Sequence, residues 1–469
     1  MIAAGVLSAL HALLWKRDPR AALGWIMACL ILPGLGPMLY WLLGVNRLRT
    51  RGQKMRRVWP ELAEGLGAIG APEDRAGVQD VPRELVQLAR VGDAVTKQPL
   101  MRGNEISLLH NGEQAYPAMI QAIREARSTV HLCSYIFAPD DVGRQFIAAL
   151  ADATERGLSV RVLIDGIGEK YSWPRASGVL EAAGVRVARF LPPHLFRPNL
   201  HFNLRNHRKL LLLDGTRGFT GGMNIGKRYL AADTGNPRRT IDLHFAVQGP
   251  VIAQMEETFA EDWAFATDEP PATCELAAPS PRDEGDDGAL CRGITDGPNE
   301  DLDKLAWILM GAISAANRRL LIMTPYFVPD RTIIRALIGA SLRGVQVQIV
   351  LPGKNNLPYV HWASRAMLWE LLQQGVRVYY QPAPFVHSKL LVVDDDYAMI
   401  GSANIDARSL RLNFEFNVEV YDRAFVTELT RHFEASRDAS TETSLALLDA
   451  RPLHERVRDG LARLAAPYL

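Results

Sequence analysis

His207–Asn224 reads H-R-K-L-L-L-L-D-G-T-R-G-F-T-G-G-M-N, and His387–Asn404 reads H-S-K-L-L-V-V-D-D-D-Y-A-M-I-G-S-A-N. Both follow H-x-K-x4-D-x6-G-[GS]-x-N at a constant offset of 180 residues, which carries Lys209 to Lys389, Asp214 to Asp394, Gly221 to Gly401 and Asn224 to Asn404. One such match in a chain of 469 residues is within reach of chance; two in register are hard to obtain that way. Side chains alternate faces along a strand, so His207 shares a face with Lys209, and His387 with Lys389. The apolar runs between Lys and Asp read as strands buried on both faces. Asp214 and Asp394 fall on the opposite face or beyond the strand end. That placement suits a stabilising role better than contact with a reacting atom.

Each copy offers one imidazole and one ammonium at the edge of a core. Where the copies meet, two His and two Lys share a site. The lysines can bind phosphate oxygens and stabilise the charge of a phosphoryl transition state. One His can attack phosphorus while the other protonates the leaving alkoxide. The small Gly221–Gly222 and Gly401–Ser402 pairs allow close backbone approach, and Asn224 and Asn404 can donate amide hydrogen bonds. Taken singly, each motif reads equally well as a buried strand with a satisfied His and a Lys reaching for water. The pairing is what favours a site.

The paired motifs resemble those of the phospholipase D superfamily. Ala21–Arg49, T-P-Y-F-V-P at Thr324–Pro329, W-A-S-R at Trp362–Arg365 and N-F-E at Asn413–Glu415 narrow the resemblance to bacterial cardiolipin synthases, over nearly the whole chain. The resemblance implies an α/β fold of two pseudo-symmetric phospholipase D-like repeats, an α/β/α sandwich with the site on the axis between them, behind an N-terminal hydrophobic membrane segment. It implies phosphatidyl transfer between two phosphatidylglycerol molecules, giving cardiolipin and glycerol through a phosphatidyl-histidine. The catalytic set is then His207, Lys209, Asp214, His387, Lys389 and Asp394, with His207 as nucleophile and His387 as acid/base. Asn224, Asn404, Gly222 and Ser402 are expected to hold the substrate phosphate. The family orients its histidines with acidic residues, and Asp242 in I-D-L-H and Glu415 in N-F-E are the candidates, 35 and 28 residues after the motif histidines. No cofactor and no metal are implied, the motif lysines supplying the positive charge. Hydrolysis by a membrane phospholipase D is an alternative, since the motifs do not decide between water and alcohol. A catalytically inactive lipid-binding scaffold is another, against which two intact motifs argue.

Composition bounds the partners. The net charge is +1, which gives no polybasic footprint and disfavours nucleic acid. Cys29, Cys133, Cys274 and Cys291 are scattered, fitting neither a zinc site nor a disulfide framework. Ala21 to Val45 is 25 residues without a charge, long enough to span a bilayer, but Pro33, Gly34, Gly36 and Pro37 make it a kinked span or a re-entrant hairpin. Ile2 to Trp15 is a shorter apolar run, marginal for a span. A signal peptide fits poorly, because no basic region precedes the first run and a longer one follows. Lys16, Arg17 and Arg20 lie between the runs, and six basic residues from Arg47 to Arg57 follow them. The larger cluster predicts catalytic repeats on the cytoplasmic side of a bacterial inner membrane, against a phosphatidylglycerol-containing bilayer. Oligomeric state is left open.

The expected organisation is a membrane anchor (1–50), a juxtamembrane linker (51–100), a first repeat (101–266), a linker rich in Pro, Asp and Glu (267–299), and a second repeat with a C-terminal helix (300–469). Helices alternate with strands in both halves. Gly184–Val187 recurs as Gly375–Val378 at offset 191, so the first repeat carries 11 extra residues just before His207, within Leu191 to Asn206. Leu453, Val457, Leu461, Leu464 and Tyr468 form a helical stripe, for which core packing is the expected use and membrane-surface contact the alternative.

Overall fold

The structure, a computed structural model, describes residues 1–16, 19–44, 74–193, 204–269, 288–298 and 303–466. The motif strands Leu210–Leu213 and Leu390–Val393 are buried along their whole length. Leu210 and Leu212 enter one core while Leu211 and Leu213 enter another; Leu390 and Val392 divide from Leu391 and Val393 in the same way. A strand covered on both faces has no solvent side, so no polar residue interrupts either run.

The same seven-strand order surrounds each motif. In the first repeat Arg186–Phe190, Ser159–Asp165 and Thr129–Ser134 run parallel, followed antiparallel by Leu210–Leu213, Arg217–Gly221, Leu243–Gln248 and Leu100–His110. In the second the order is Arg377–Gln381, Gln346–Pro352, Arg319–Met323, Leu390–Val393, Tyr397–Gly401, Asn413–Tyr421 and Ala289–Asp296. The two final strands pair with each other and join the sheets. Outer helices cover each sheet, among them Asp141–Glu155 and its counterpart Arg331–Leu342. Asp140 and Asp330 cap those two helices, each carboxylate accepting from two backbone N–H groups of the first turn. Between the sheets, Phe245, Phe259 and Trp263 of the first repeat share a core with Phe414, Phe416, Phe425 and Phe433 of the second. The two repeats therefore fold against one another across an apolar core.

Asp214 and Asp394 stand beyond the far ends of the motif strands in the left-handed region, at φ 53° and 50°. Seven residues of extended chain put each about 20 Å from its histidine. The Asp214 carboxylate accepts from the backbone N–H of Arg127, Ser128 and Thr129, and Asp394 from those of Asn317, Arg318 and Arg319. They pin the turn that enters the neighbouring parallel strand. Counting them in a catalytic set is corrected here: the motif aspartates hold the fold, as strand parity anticipates.

The uncharged N-terminal stretch does not form one span. Ile2–Trp15 and Pro19–Ile31 are separate helices, the second breaking at Leu32 before a short helix Leu35–Leu39. Among the described residues no helix is long and apolar enough to cross a membrane. The helices pack closely where small residues meet: Gly5 lies against the Cys29 backbone and Gly36 against that of Ala28. Leu7, Leu10, Leu14, Leu23, Leu30 and Ile31 remain exposed.

The C-terminal helix Leu453–Leu464 overturns the core-packing expectation. Leu453, Val457, Leu461 and Leu464 are exposed, while Asp459 is the residue it buries. Tyr468, most of the segment inserted before His207 (194–203), Cys274 and the basic cluster Arg47–Arg57 lie outside the described residues.

Candidate active site

Each motif histidine is seated by the other repeat. Arg205–Asn206 pairs parallel with Asn413–Phe414, and the His207 N–H donates to the Phe414 carbonyl at 2.9 Å. Phe385–Val386 pairs with Thr240–Ile241, and the His387 N–H donates to the Ile241 carbonyl at 2.7 Å. These two short ladders set His207 beside Glu415 and His387 beside Asp242. His207 Nδ1 lies 3.0 Å from Glu415 Oε2, and His387 Nδ1 lies 2.7 Å from Asp242 Oδ2. The order along the chain does not reveal this: each carboxylate follows the histidine of its own repeat and serves the other's. With Nδ1 engaged, Nε2 of each ring is left for chemistry.

Lys209 and Lys389 fold back over their histidines. Each Nζ donates to the carbonyl of the histidine two residues earlier at 2.6 Å. Lys389 Nζ also lies 3.0 and 3.1 Å from the two ring nitrogens of His387. Tyr135 stands 5.2 Å from the His207 ring; Tyr229, Tyr326 and Phe385 surround His387 at 6.4, 6.1 and 5.8 Å. These aromatics escape a reading of the motifs alone. Tyr326 lies inside T-P-Y-F-V-P, so that stretch was the available signal for it.

The four residues expected to hold phosphate also have partners within the chain. Gly222 and Ser402 are equivalent positions that fix the orienting carboxylates. A Cβ on Gly222 would overlap the Asp242 carboxyl group. The Ser402 hydroxyl donates to Glu415 Oε2 at 2.6 Å and accepts from the Phe416 N–H at 3.0 Å. Asn224 donates to the Tyr229 hydroxyl at 2.8 Å and accepts from the Ile136 N–H at 3.1 Å, while the Asn404 amide donates to Ser409 Oγ at 3.2 Å. Both asparagines brace the loops that carry the aromatics and the following helix, each with one amide hydrogen bond. Gly221 and Gly401 sit at φ 145° and 149°, so the tight exit from each strand requires glycine.

The two halves are electrostatically unequal. Burial pulls Lys209 down to about 7 and Lys389 to about 8. Burial lowers His207 and, with both lysines adding to it, takes His387 well below its ordinary value. Asp242 is pushed up to about 6 by burial. Burial acts on Glu415 in the same sense, but His207, Lys209 and the Ser402 hydroxyl outweigh it and hold this carboxyl below the usual range. Glu415 is thus held as an anion beside His207, while the Asp242 carboxyl beside His387 is pushed up to about 6.

Comparison with known proteins places this geometry. A family model described as "Cardiolipin synthase, PLD-like domain" matches residues 119–263 and 309–437, and one described as "Phospholipase_D-nuclease N-terminal" matches 3–44. The chain belongs to the cardiolipin synthase family. It is 33% identical to cardiolipin synthase A of Pseudomonas entomophila and 34% identical to that of Pseudomonas fluorescens, each match covering 99% of this chain and 96% of the relative. The crystal structure of a phosphatidylserine synthase from Haemophilus influenzae superposes with a TM-score of 0.62 over 81% of this chain and all of its own, at 15% identity, which speaks to the fold alone.

The titrations make a prediction for this family member. The lysine charges are present below about 7 to 8 and lost as pH rises through that range, while the Asp242 carboxylate is present above about 6 and lost below it. A pH profile of kcat/KM should be bell-shaped between those limits. Lys209→Arg should carry the alkaline limb upward, because a guanidinium does not titrate there. An alkaline limb near the ordinary lysine value would contradict the assignment.

Proposed function

We propose that this chain transfers a phosphatidyl group from one phosphatidylglycerol to the primary hydroxyl of another, releasing glycerol and forming cardiolipin. Family membership over nearly the whole chain makes it a phosphatidyltransferase. The observation that carries the finer reading is the convergence of two His–Lys pairs with a carboxylate on Nδ1 of each imidazole. His207 Nε2 attacks phosphorus, the bond from phosphorus to the glycerol oxygen breaks, and His387 gives that oxygen its proton. The hydroxyl of the second phosphatidylglycerol then attacks phosphorus as His387 takes its proton, and His207 leaves. Lys209 and Lys389 hold the phosphate oxygens throughout.

The inequality of the two carboxylates supports this division of labour. A phosphorylated imidazole is cationic, and Glu415 is the carboxylate held anionic beside His207. The acid/base partner must gain and lose a proton within one turnover, and the carboxyl beside His387 is the one pushed up to about 6. The lysine charges that depress His387 are offset by an anionic phosphodiester, so substrate itself favours the protonated acid. The apolar N-terminal hairpin is read as the anchor, holding the repeats at the cytoplasmic face of the inner membrane. Its two main helices, of 14 and 13 residues, reach about 20 Å each, short of the ~30 Å hydrocarbon core, which favours shallow or re-entrant insertion.

Incubation of the purified full-length protein with phosphatidylglycerol in mixed micelles should yield cardiolipin and glycerol in equal amounts. The yield should persist in excess chelator, because two lysines supply the charge at the phosphate. Phosphatidic acid as the sole lipid product would replace transfer with hydrolysis, and loss of turnover restored by a divalent ion would reveal a metal requirement.

Role assignment is tested with phosphatidyl-p-nitrophenol, whose leaving group needs no proton. His387→Ala should release a burst of nitrophenol, stall, and carry a phosphatidyl adduct by intact mass. His207→Ala should show neither burst nor adduct. Each variant should lose several orders of magnitude in turnover of phosphatidylglycerol, because the two histidines act as a unit. The reverse pattern would exchange the two roles.

A further inference from the structure

The C-terminal helix Leu453–Leu464 wears its apolar side outward. Leu453, Val457, Leu461 and Leu464 are 53–75% exposed and, at helical spacing, line one face. The opposite face is fastened to the helix Pro358–Arg365. Asp459, 1% exposed in its side chain, pairs with Arg365 at 3.0 Å and with Arg451; Arg458 lies over the Trp362 ring at 4.6 Å; Ala462 packs in a cluster with Val360, Ala363 and Tyr326. The exposed stripe therefore does not come from a loosely placed helix. A buried ion-pair network and a packed apolar contact hold it in that orientation.

Position gives the stripe its meaning. Each histidine precedes a motif strand whose first residue pairs with the last part of a parallel strand: Leu210 with Cys133, and Leu390 with Met323. The site thus opens at the C-terminal ends of the parallel strands. Pro358–Arg365 follows the C-terminal end of Gln346–Pro352, and Tyr326, which it helps to bury, stands 6.1 Å from His387. In the first repeat the equivalent strand Ser159–Asp165 is followed by Tyr171 and Trp173, which are 65% and 87% exposed. The Tyr171 ring lies 6.2 Å from that of Tyr135, which in turn flanks His207. Both repeats thus carry exposed apolar side chains on, or packed against, the segments that follow the C-terminal ends of their parallel strands. His454, Arg456 and Arg463 are exposed on the flanks of the C-terminal stripe.

We propose that the Leu453–Leu464 helix and the Tyr171–Trp173 loop form a second membrane contact, apart from the N-terminal hairpin, that seats the mouth of the active site on an anionic bilayer. The inference rests on the proposed phospholipid substrate. Apolar side chains enter the acyl boundary, Trp173 settles at the headgroup level, and the flanking basic residues meet lipid phosphates. The phosphodiester of a lipid then reaches the two histidines while its acyl chains stay in the leaflet. An amphipathic helix with an outward Leu/Val stripe and basic flanks suits this surface better than a protein partner, which would also have to match the separate Trp173 loop.

The test uses the full chain in phosphatidylglycerol–phosphatidylcholine vesicles. In a Cys274→Ser background, where the cysteines left among the described residues are buried, an environment-sensitive thiol label is placed at Leu461→Cys or Thr427→Cys. Thr427 lies one turn from Arg423, which pairs with Asp395 and Asp396 at the strand end far from the histidines. Brominated lipid should quench the label at 461 and not at 427. The triple variant Val457→Ser/Leu461→Ser/Leu464→Ser should raise KM for vesicle substrate about tenfold or more while leaving turnover of monomeric short-chain phosphatidylglycerol unchanged. Equal quenching at the two positions would overturn the proposal, as would equal loss of activity on both substrates, which would mark the stripe as structural. Failure of the wild type to form cardiolipin from the short-chain substrate would sink the proposed reaction instead, and the quenching result would still stand or fall by itself.

Discussion

The structure depends on a crossed contact: each motif imidazole is held by a carboxylate from the opposite repeat. Glu415 holds His207 and Asp242 holds His387. The contact is not one of side chains alone. The residues before each histidine form a short parallel ladder with the residues before its carboxylate, so backbone and side chain are positioned together. Neither repeat contains a complete histidine–carboxylate pair, and separating the halves would leave two buried carboxylates without their partners. Buried charges of that kind are costly when unpaired, which ties the integrity of the apolar junction to the integrity of the site.

From this constraint the smaller choices follow. The G-[GS] pair makes a strand exit at positive φ and then yields room or a hydroxyl to the orienting carboxylate. Gly222 leaves Asp242 without the hydroxyl bond that Ser402 gives Glu415. His207 and Lys209, with the Ser402 hydroxyl added, hold Glu415 below the usual carboxylate range, while burial pushes Asp242 up to about 6. A near-symmetric pair of motifs thereby produces two chemically distinct histidines. The lysines, buried and drawn down toward neutrality, are best matched to an anion that arrives between them.

The motif strands were legible because their physics is local. An unbroken apolar run between Lys and Asp has few readings besides a strand covered on both faces, and duplication at one offset put the two copies in one fold. Strand parity likewise separated the histidines and lysines from Asp214 and Asp394. What parity cannot supply is the partner of a residue from the other repeat, so the crossing of Glu415 and Asp242 was invisible. The contacts that Asn224, Asn404, Gly222 and Ser402 make within the fold were equally hidden, because small and amide residues serve loops and ligands alike. Helical spacing correctly predicted the Leu453–Leu464 helix but not which way its stripe would face. Its direction is set by Asp459, whose carboxylate is drawn inward by Arg365 and Arg451 against the usual preference of apolar over charged residues for burial.

The crossing itself can be measured directly through the imidazole Nδ1 protons of protein labelled with nitrogen-15 in histidine. His207→Gln and His387→Gln each delete one set of ring resonances and so assign them. The account predicts that Glu415→Gln shifts the His207 set and leaves the His387 set in place, and that Asp242→Asn does the converse. A His207 resonance that moves with Asp242→Asn and ignores Glu415→Gln would contradict it.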